Sequence, residues 1–150
     1  GRLSAPWTLS EAAMSTQSGR NRLHAAWSGE TAGTLSLTGG AVDITREANG
    51  GMSLIVSLYV EEAPTAPVTL AMGCGEGCGG ALDITERLRT AGDGVTSVAV
   101  RLSCFIDAGA DMTRISTPVR ISTPGRLGLA LVTARVAESE GLAGCPPRAR

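Results

Sequence analysis

Residues 52–60 read MSLIVSLYV and carry the clearest structural signal in the chain. Every second position is aliphatic, and the intervening positions include Ser53, Ser57 and Tyr59. Because successive side chains of a strand point to opposite faces, this period of two predicts a β-strand with one buried face. The same alternation recurs elsewhere: Leu23-Ala25-Trp27, Leu35-Leu37, Val68-Leu70-Met72, Val98-Val100-Leu102, Val119-Ile121 and Leu127-Leu129-Leu131.

These runs predict about eight short strands, separated by turns that contain many of the 20 glycines. Evenly spaced short strands are typical of an all-β fold, a β-sandwich or jelly roll. We expect the strands at 52–60 and 68–72 to pair as a hairpin through a loop that contains Pro64 and Pro67. The longest uncharged stretches are shorter than the ~20 residues of a membrane-spanning helix.

One short helix is expected to interrupt this pattern. Asp83-Ile84-Thr85-Glu86 has the form of a capping box, in which Asp83 accepts from a backbone N–H and Glu86 reaches back. The helix then includes Leu88 and stops by Gly92. The similar phrase at 42–47 is followed after Ala48 by Asn49-Gly50-Gly51, which predicts a turn.

Size and charge exclude several classes of protein. With 150 residues the chain is too short for a (β/α)₈ barrel of about 250 residues. The 13 arginines and 14 acidic residues leave a net charge of -1, so no basic field exists to bind nucleic acid or an anionic membrane. We expect one domain over residues 1–150 with a tail at 138–150. Since the chain begins at Gly1, we also expect it to be cut from a longer protein.

Four cysteines, Cys74, Cys78, Cys104 and Cys145, allow three pairings. The glycines of Cys74-Gly-Glu-Gly-Cys78 permit a local disulfide, which leaves Cys104 to meet Cys145. A single disulfide and a zinc site are the alternatives, but structural zinc sites usually show paired close spacings. Disulfides would place the chain in an oxidising compartment.

Catalytic motifs are missing from the sequence. The only histidine, His24, falls in a predicted strand as a surface residue, and no Gly-x-Ser-x-Gly elbow occurs. The glycine-rich run 73–80 lacks the lysine of a phosphate-binding loop. Glu61 and Glu62 are expected to form a solvated strand end. We therefore predict no catalytic residue.

No cofactor is predicted. Four aspartates could supply oxygen ligands to a structural calcium, but no D-x-D-x-D-G loop supports one. They are Asp43, Asp83, Asp107 and Asp111.

Aromatic rings, on which sugars usually stack, are scarce: two Trp, one Tyr and one Phe. Phe105 is expected in the core, and Tyr59 lies on the second face of its strand. Trp7 and Trp27 are therefore the candidate ligand-binding residues, with burial in the core as the alternative for both.

The order of several motifs resembles one family. The motifs are the run from Ala63 to Gly80, Leu82-Asp83-Ile84-Thr85, Leu102-Ser103-Cys104-Phe105, Ala108-Gly109-Ala110-Asp111 and Thr117-Pro118. The stretches Ser4–Leu9 and Leu23–Gly29 look like the family's entry into the domain. Together they resemble the C-terminal, galactose-binding-like domain of bacterial family-three glycoside hydrolases of the ExoP type, which are exo-β-glucanases and β-glucosidases.

This resemblance implies a β-sandwich appended to catalytic domains that hold the nucleophile and the acid/base. It implies a non-catalytic accessory role: the domain packs on the catalytic domains and lends a loop to the substrate groove. An autonomous carbohydrate-binding module for β-glucans is the alternative. The partners would be those catalytic domains and β-glucan oligosaccharides, and the location would be periplasmic or secreted.

Overall fold

The computed structural model describes residues 8–12, 15–19, 22–138 and 144–149. In these ranges the backbone forms ten strands: β1 (Thr8–Ala12), β2 (Ser15–Gly19), β3 (Arg22–Ser28), β4 (Gly33–Thr38), β5 (Ser53–Glu62), β6 (Thr69–Gly73), β7 (Gly79–Asp83), β8 (Thr96–Arg101), β9 (Thr117–Thr123) and β10 (Arg126–Ala137). They make two antiparallel sheets. Sheet one has the order β1-β4-β9-β6-β7, and sheet two has the order β2-β3-β10-β5-β8. The predicted all-β sandwich is confirmed, although β1, β2 and β7 were not predicted.

The core lies between the sheets and follows the alternation of the sequence. Leu54, Val56 and Leu58 of β5 are each at most 2% exposed. On sheet two, Leu127 pairs with Trp27 and Leu129 with Ala25, so the buried positions of β3 and β10 stand side by side. Because a fully buried aliphatic or aromatic side chain stabilises a fold by about 1.5–3 kcal/mol, this register is strongly specified.

The predicted hairpin between residues 52–60 and 68–72 is wrong. β5 lies in sheet two and β6 in sheet one, so the connection 63–68 crosses from one sheet to the other. This connection is fixed to the β9–β10 turn: the Arg126 N–H donates to Thr65 Oγ1 at 2.8 Å, and the Thr65 N–H donates to the Arg126 carbonyl at 3.1 Å. Gly125 makes room, since a Cβ there would lie 2.6 Å from the Ala66 Cβ.

The predicted short helix is present as one of three α-helices in the described ranges, which also contain a 3₁₀ turn. These elements are α1 (Thr45–Asn49), α2 (Thr85–Arg89), α3 (Leu102–Asp107) and the turn Met112–Arg114. α2 is the predicted helix, although it ends before Gly92. Asp83 Oδ1 accepts from the Thr85 N–H at 2.9 Å as expected, but Glu86 pairs with Arg89 at 3.6 Å instead of reaching back. None of these helices is long and apolar enough to cross a membrane.

Helix α3 replaces the predicted strand end at Leu102-Ser-Cys-Phe105. Leu102 and Phe105 are both 0% exposed, so the expectation that Phe105 is a core residue is confirmed. The helix ends at Asp107, and two residues later the chain turns at Gly109, whose φ of 119° suits glycine. It packs on β7 at Gly80, where a side chain would collide with the Phe105 carbonyl oxygen.

Two disulfides join Cys74 to Cys78 and Cys104 to Cys145, the pairing that the spacing favoured. The second one holds residues 144–149, here called the C-terminal strap, against α3. The strap lies along β7: the Asp83 N–H donates to the Pro147 carbonyl at 2.7 Å, and the Ala149 N–H donates to the Ala81 carbonyl at 3.0 Å. The predicted tail thus ends in a segment that covers the edge of sheet one.

Candidate functional site

A cleft of about 420 Å³ opens on the outer face of sheet two, over strands β2, β3, β10 and β5. Small residues form its floor, because Ala26 pairs with Gly128 on the central strand β10. Its walls are polar and come from Gln17, His24, Glu61 and Glu62. The volume falls in the range of roughly 300–1,000 Å³ that is typical of ligand sites. We call it the sheet-two cleft.

A β-bulge in β5 places two carboxylates in this cleft. Gly128 pairs with Glu62 and Leu129 pairs with Val60, so Glu61 has no partner of its own in the register. In an unbroken strand, consecutive residues would point to opposite faces, and one glutamate would enter the core. The bulge removes this conflict, and both Glu61 and Glu62 are exposed.

His24 and Glu61 face each other across β10. His24 Nδ1 lies 2.9 Å from Glu61 Oε1 and 3.1 Å from Oε2. Because an ionised carboxylate only accepts, Nδ1 carries the proton and donates, which leaves Nε2 turned to other partners. Ala130, directly below on β10, is 0% exposed. The expected surface position of His24 is confirmed, and Glu61 is part of a pair rather than a merely solvated strand end.

Two arginines on the strands that form the cleft contact side chains of β5. The Arg22 guanidinium lies 4.1 Å from the centroid of the Tyr59 ring, and its Nη2 donates to the Tyr59 hydroxyl at 3.3 Å. Arg126 donates to both Glu62 oxygens at 3.4 and 3.5 Å. Arg126 therefore compensates the charge of Glu62, and one face of the Tyr59 ring is occupied by the Arg22 cation.

The predicted ligand-binding role does not suit Trp27. The side chain is 2% exposed and packs in the core opposite Leu127, so it offers no face on which a sugar could stack. Its Nε1 has no hydrogen-bond partner among the described residues. The sequence left open whether Trp27 binds a ligand or lies in the core. Because Trp27 occupies an inward-facing position of β3, its side chain lies in the core. Trp7 lies outside the described residues.

The aspartates named for calcium serve turns. Asp43 Oδ1 accepts from the Thr45 N–H at 2.9 Å, which starts α1 as Asp83 starts α2. Asp111 Oδ1 accepts from the Thr113 hydroxyl at 2.6 Å and from the Thr113 N–H at 3.0 Å. These bonds hold the pKa of Asp111 below its ordinary value of 3.8.

Asp107 ends α3, and its carbonyl accepts from Arg148 of the strap. Within the ranges that the structure describes, no three His, Cys, Asp or Glu side chains cluster as a metal site would need.

The sequence analysis assigned His24, Glu61 and Glu62 to the surface and did not predict that their side chains lie together. It missed Gln17 because β2 was not predicted, and it missed Arg22 because the alternation that predicted β3 began at Leu23. The signal for the bulge was present in the sequence, since two adjacent glutamates follow a strictly alternating strand. The sequence did not show that β10 lies between β3 and β5, which is the arrangement that brings these side chains together.

The fold and the cleft define a galactose-binding-like β-sandwich. The family model Exop_C, described as galactose-binding domain-like, matches residues 5–136. The chain therefore belongs to the Exop_C family. No curated protein sequence matches the chain significantly.

Solved structures show the same fold at low sequence identity. The extra C-terminal domain (X) of the exo-1,3/1,4-β-glucanase ExoP from a Pseudoalteromonas species matches with a TM-score of 0.65 and 16% identity, over 89% of this chain and 87% of that one. PfGH50B matches with a TM-score of 0.70 and 10% identity over 91% of this chain.

A family 11 carbohydrate-binding module from Clostridium thermocellum, in complex with a β-1,3-1,4-mixed-linked tetrasaccharide, has a TM-score of 0.56 and 9% identity over 96% of this chain and 92% of that one. The chain spans only 23% of PfGH50B and 15% of the whole ExoP enzyme.

Proposed function

We propose that this chain is the non-catalytic accessory domain of a larger β-glucan-processing glycoside hydrolase, of the family-three β-glucosidase or exo-β-1,3/1,4-glucanase type. The observation that carries the proposal is the family match over residues 5–136, combined with the small share of the whole enzymes that such a domain occupies. The domain would be an appended C-terminal part of its parent protein, which would hold the catalytic nucleophile and acid/base.

The fixed connection 63–68 supports the proposed accessory role. The connection 63–68 follows Glu61 and Glu62 directly, and Thr65 is hydrogen-bonded to Arg126 in both directions. A loop that is fixed in this way keeps one conformation at the rim of the sheet-two cleft. By packing on the catalytic domains, the sandwich would hold this loop beside the outer part of the substrate groove and lengthen it, without taking part in bond cleavage.

The side chains of the cleft support a binding role over a catalytic one. Glycoside hydrolysis needs one carboxylic acid that donates a proton and one carboxylate that acts as nucleophile or base, set on opposite sides of the scissile bond. Glu61 and Glu62 are neighbours in one strand, and each is paired with a cation or a proton donor. We therefore assign the isolated chain no hydrolase activity and no cofactor.

An autonomous carbohydrate-binding module is the second candidate, and the likeness to the family 11 module favours it. The two candidates differ in affinity. A module that captures polysaccharide by itself usually presents exposed aromatic faces, whereas Trp27 is buried and Tyr59 is covered on one face by Arg22. This scarcity of free rings among the residues that the structure describes favours assistance to a neighbouring active site.

We place the domain outside the cytoplasm, in the periplasm or secreted. Both disulfides support this location, because structural disulfides persist in oxidising compartments. Thiol counting on the protein isolated from its native compartment, denatured without reductant, should find no free thiol. Four free thiols would contradict the location.

Deletion of the domain from the parent enzyme tests the function. We expect the KM for long β-glucans to rise while kcat on an aryl β-glucoside stays constant, because only the outer part of the groove is lost. Unchanged kcat and KM on both long and short substrates would refute the accessory role. Hydrolysis of an aryl β-glucoside by the isolated chain would refute the non-catalytic assignment.

A further inference from the structure

The sheet-two cleft presents hydrogen-bond acceptors on a nearly flat floor. His24 Nδ1 donates to Glu61, so in the neutral imidazole Nε2 is an acceptor, and the Glu61 carboxylate has further lone pairs. Gln17 adds an amide that both donates and accepts. Ala26 and Gly128 form the floor and have no large side chains that would fill the cleft. A Cβ at Gly128 would lie 3.1 Å from the Glu62 Cβ.

The charges of the cleft decide what kind of ligand fits. The Arg126 guanidinium is engaged with Glu62, and the His24 Nδ1 proton is engaged with Glu61. Because a neutral His24 adds no positive charge, a carboxylated or sulfated sugar would bring a like charge close to two carboxylates that have only Arg126 as a paired cation. A neutral sugar, whose hydroxyls donate as well as accept, meets no such repulsion.

From this arrangement we propose that the sheet-two cleft is a binding site for a neutral hexose oligosaccharide. Adjacent hydroxyls of one sugar donate to Glu61 and to His24 Nε2, while Gln17 contacts the next sugar. The inference rests on the proposed function and names the surface that meets the substrate. Because Arg22 covers one face of Tyr59, hydrogen bonds carry the binding. The affinity of the isolated domain should then be weak, with a Kd on the order of 1 mM.

Titration of the chain with cellotetraose and with laminaritetraose, followed by ¹H–¹⁵N NMR, tests the site. We expect saturable shifts that are centred on Gln17, His24 and Gly128. Glu61→Gln keeps the shape of the side chain and removes its charge, so the Kd should rise by about tenfold. Glu86→Gln is the matched control, because Glu86 is an exposed glutamate on α2 whose carboxylate pairs with Arg89, away from the cleft. It should bind as the unmodified chain does.

Two further measurements distinguish loss of binding from loss of folding. Thermal unfolding of each variant shows whether it is folded, and Gln17→Ala provides a second variant if Glu61→Gln is not. Absence of saturable binding, shifts on another surface, or equal affinity of the Glu61→Gln and Glu86→Gln variants would overturn the site. Equally tight binding of a uronic-acid tetrasaccharide would overturn the ligand class.

The deletion experiment separates this inference from the proposed function. If deletion raises the KM for long glucans but Glu61→Gln binds normally, the accessory role stands and the site is wrong. If the cleft binds as described but deletion changes nothing, the site stands and the accessory role is wrong.

Discussion

The Cys104–Cys145 disulfide should contribute far more stability than the Cys74–Cys78 disulfide. The perturbation is a pair of double variants, one with both Cys104 and Cys145 changed to Ala and the other with both Cys74 and Cys78 changed to Ala. Each pair contains one buried member, since Cys104 is 4% and Cys74 is 3% exposed. The loss of buried surface is therefore similar in the two variants, and the length of the closed loop is the main difference.

The magnitude follows from the entropy of loop closure in the unfolded chain. The sequence separation is 41 for the Cys104–Cys145 disulfide and 4 for the Cys74–Cys78 disulfide. The chain-entropy relation gives about 4 kcal/mol for the long loop and about 2 kcal/mol for the short one. The Asp111 N–H also donates to Cys74 Sγ at 3.2 Å, and loss of this bond reduces the difference slightly.

Guanidinium denaturation of both variants, without reductant, measures the two losses. We expect the free energy of unfolding to fall by about 2 kcal/mol more when the long loop is opened. The full effect requires the C-terminal strap to stay on β7 through its own hydrogen bonds. Equal losses, or a larger loss for the short loop, would refute the reasoning. So would hydrogen exchange that shows free Asp83 and Ala149 amides in the long-loop variant.

Two further predictions concern the fold. Gly80→Ala places a Cβ against the Phe105 carbonyl and should destabilise the protein by about 1–3 kcal/mol. Gly92→Ala is the control, and because no atom lies within 4 Å of the added Cβ it should be neutral or stabilising. Thermal unfolding compares the two variants, and equal effects would contradict the packing of α3 on β7. Because Thr113 lowers the pKa of Asp111 in the folded state, the stabilisation is present above the unfolded pKa and is lost as the pH falls through the folded one. Thr113→Val should therefore be less stable than the unmodified protein at pH 7. Urea denaturation should show that the difference in the free energy of unfolding shrinks toward pH 2. A difference that does not change with pH would contradict the stabilising role of the Asp111–Thr113 bonds.

Local alternation was sufficient to predict most strands and their buried faces. Leu54, Val56 and Leu58 follow the period of two and are all buried, because one face of β5 meets the opposite sheet. Local alternation did not predict which strands pair with each other. The hairpin through Pro64 failed because hydrogen bonds to the β9–β10 turn, some 60 residues away in sequence, direct the connection across the sandwich.

The short helices α1 and α3 were not predicted, for a different reason. Leu102 continues the alternation of β8 in the sequence, but in the structure it begins α3. This helix is only 6 residues long. Too few turns exist to show a period of 3.6. The glycine at position 109, with its positive φ, was the available signal for the helix end.

The candidate site depends on contacts that no local pattern contains. His24 and Glu61 are 37 positions apart in sequence, and they meet because β10 lies between their strands and offers only small side chains at this level. Trp27 shows the same limit. Its ring could suit a core or a binding surface, and only the register of β3 against β10 places it inside.

The most direct test of the central claim uses the parent glycosidase with Glu61→Gln in this domain and Glu86→Gln as the control. If the sheet-two cleft serves the neighbouring active site, Glu61→Gln raises the KM for long β-glucans while kcat and the KM for a disaccharide stay unchanged. Glu86→Gln leaves all these values unchanged. Identical kinetics of the two variants on long β-glucans would contradict the account.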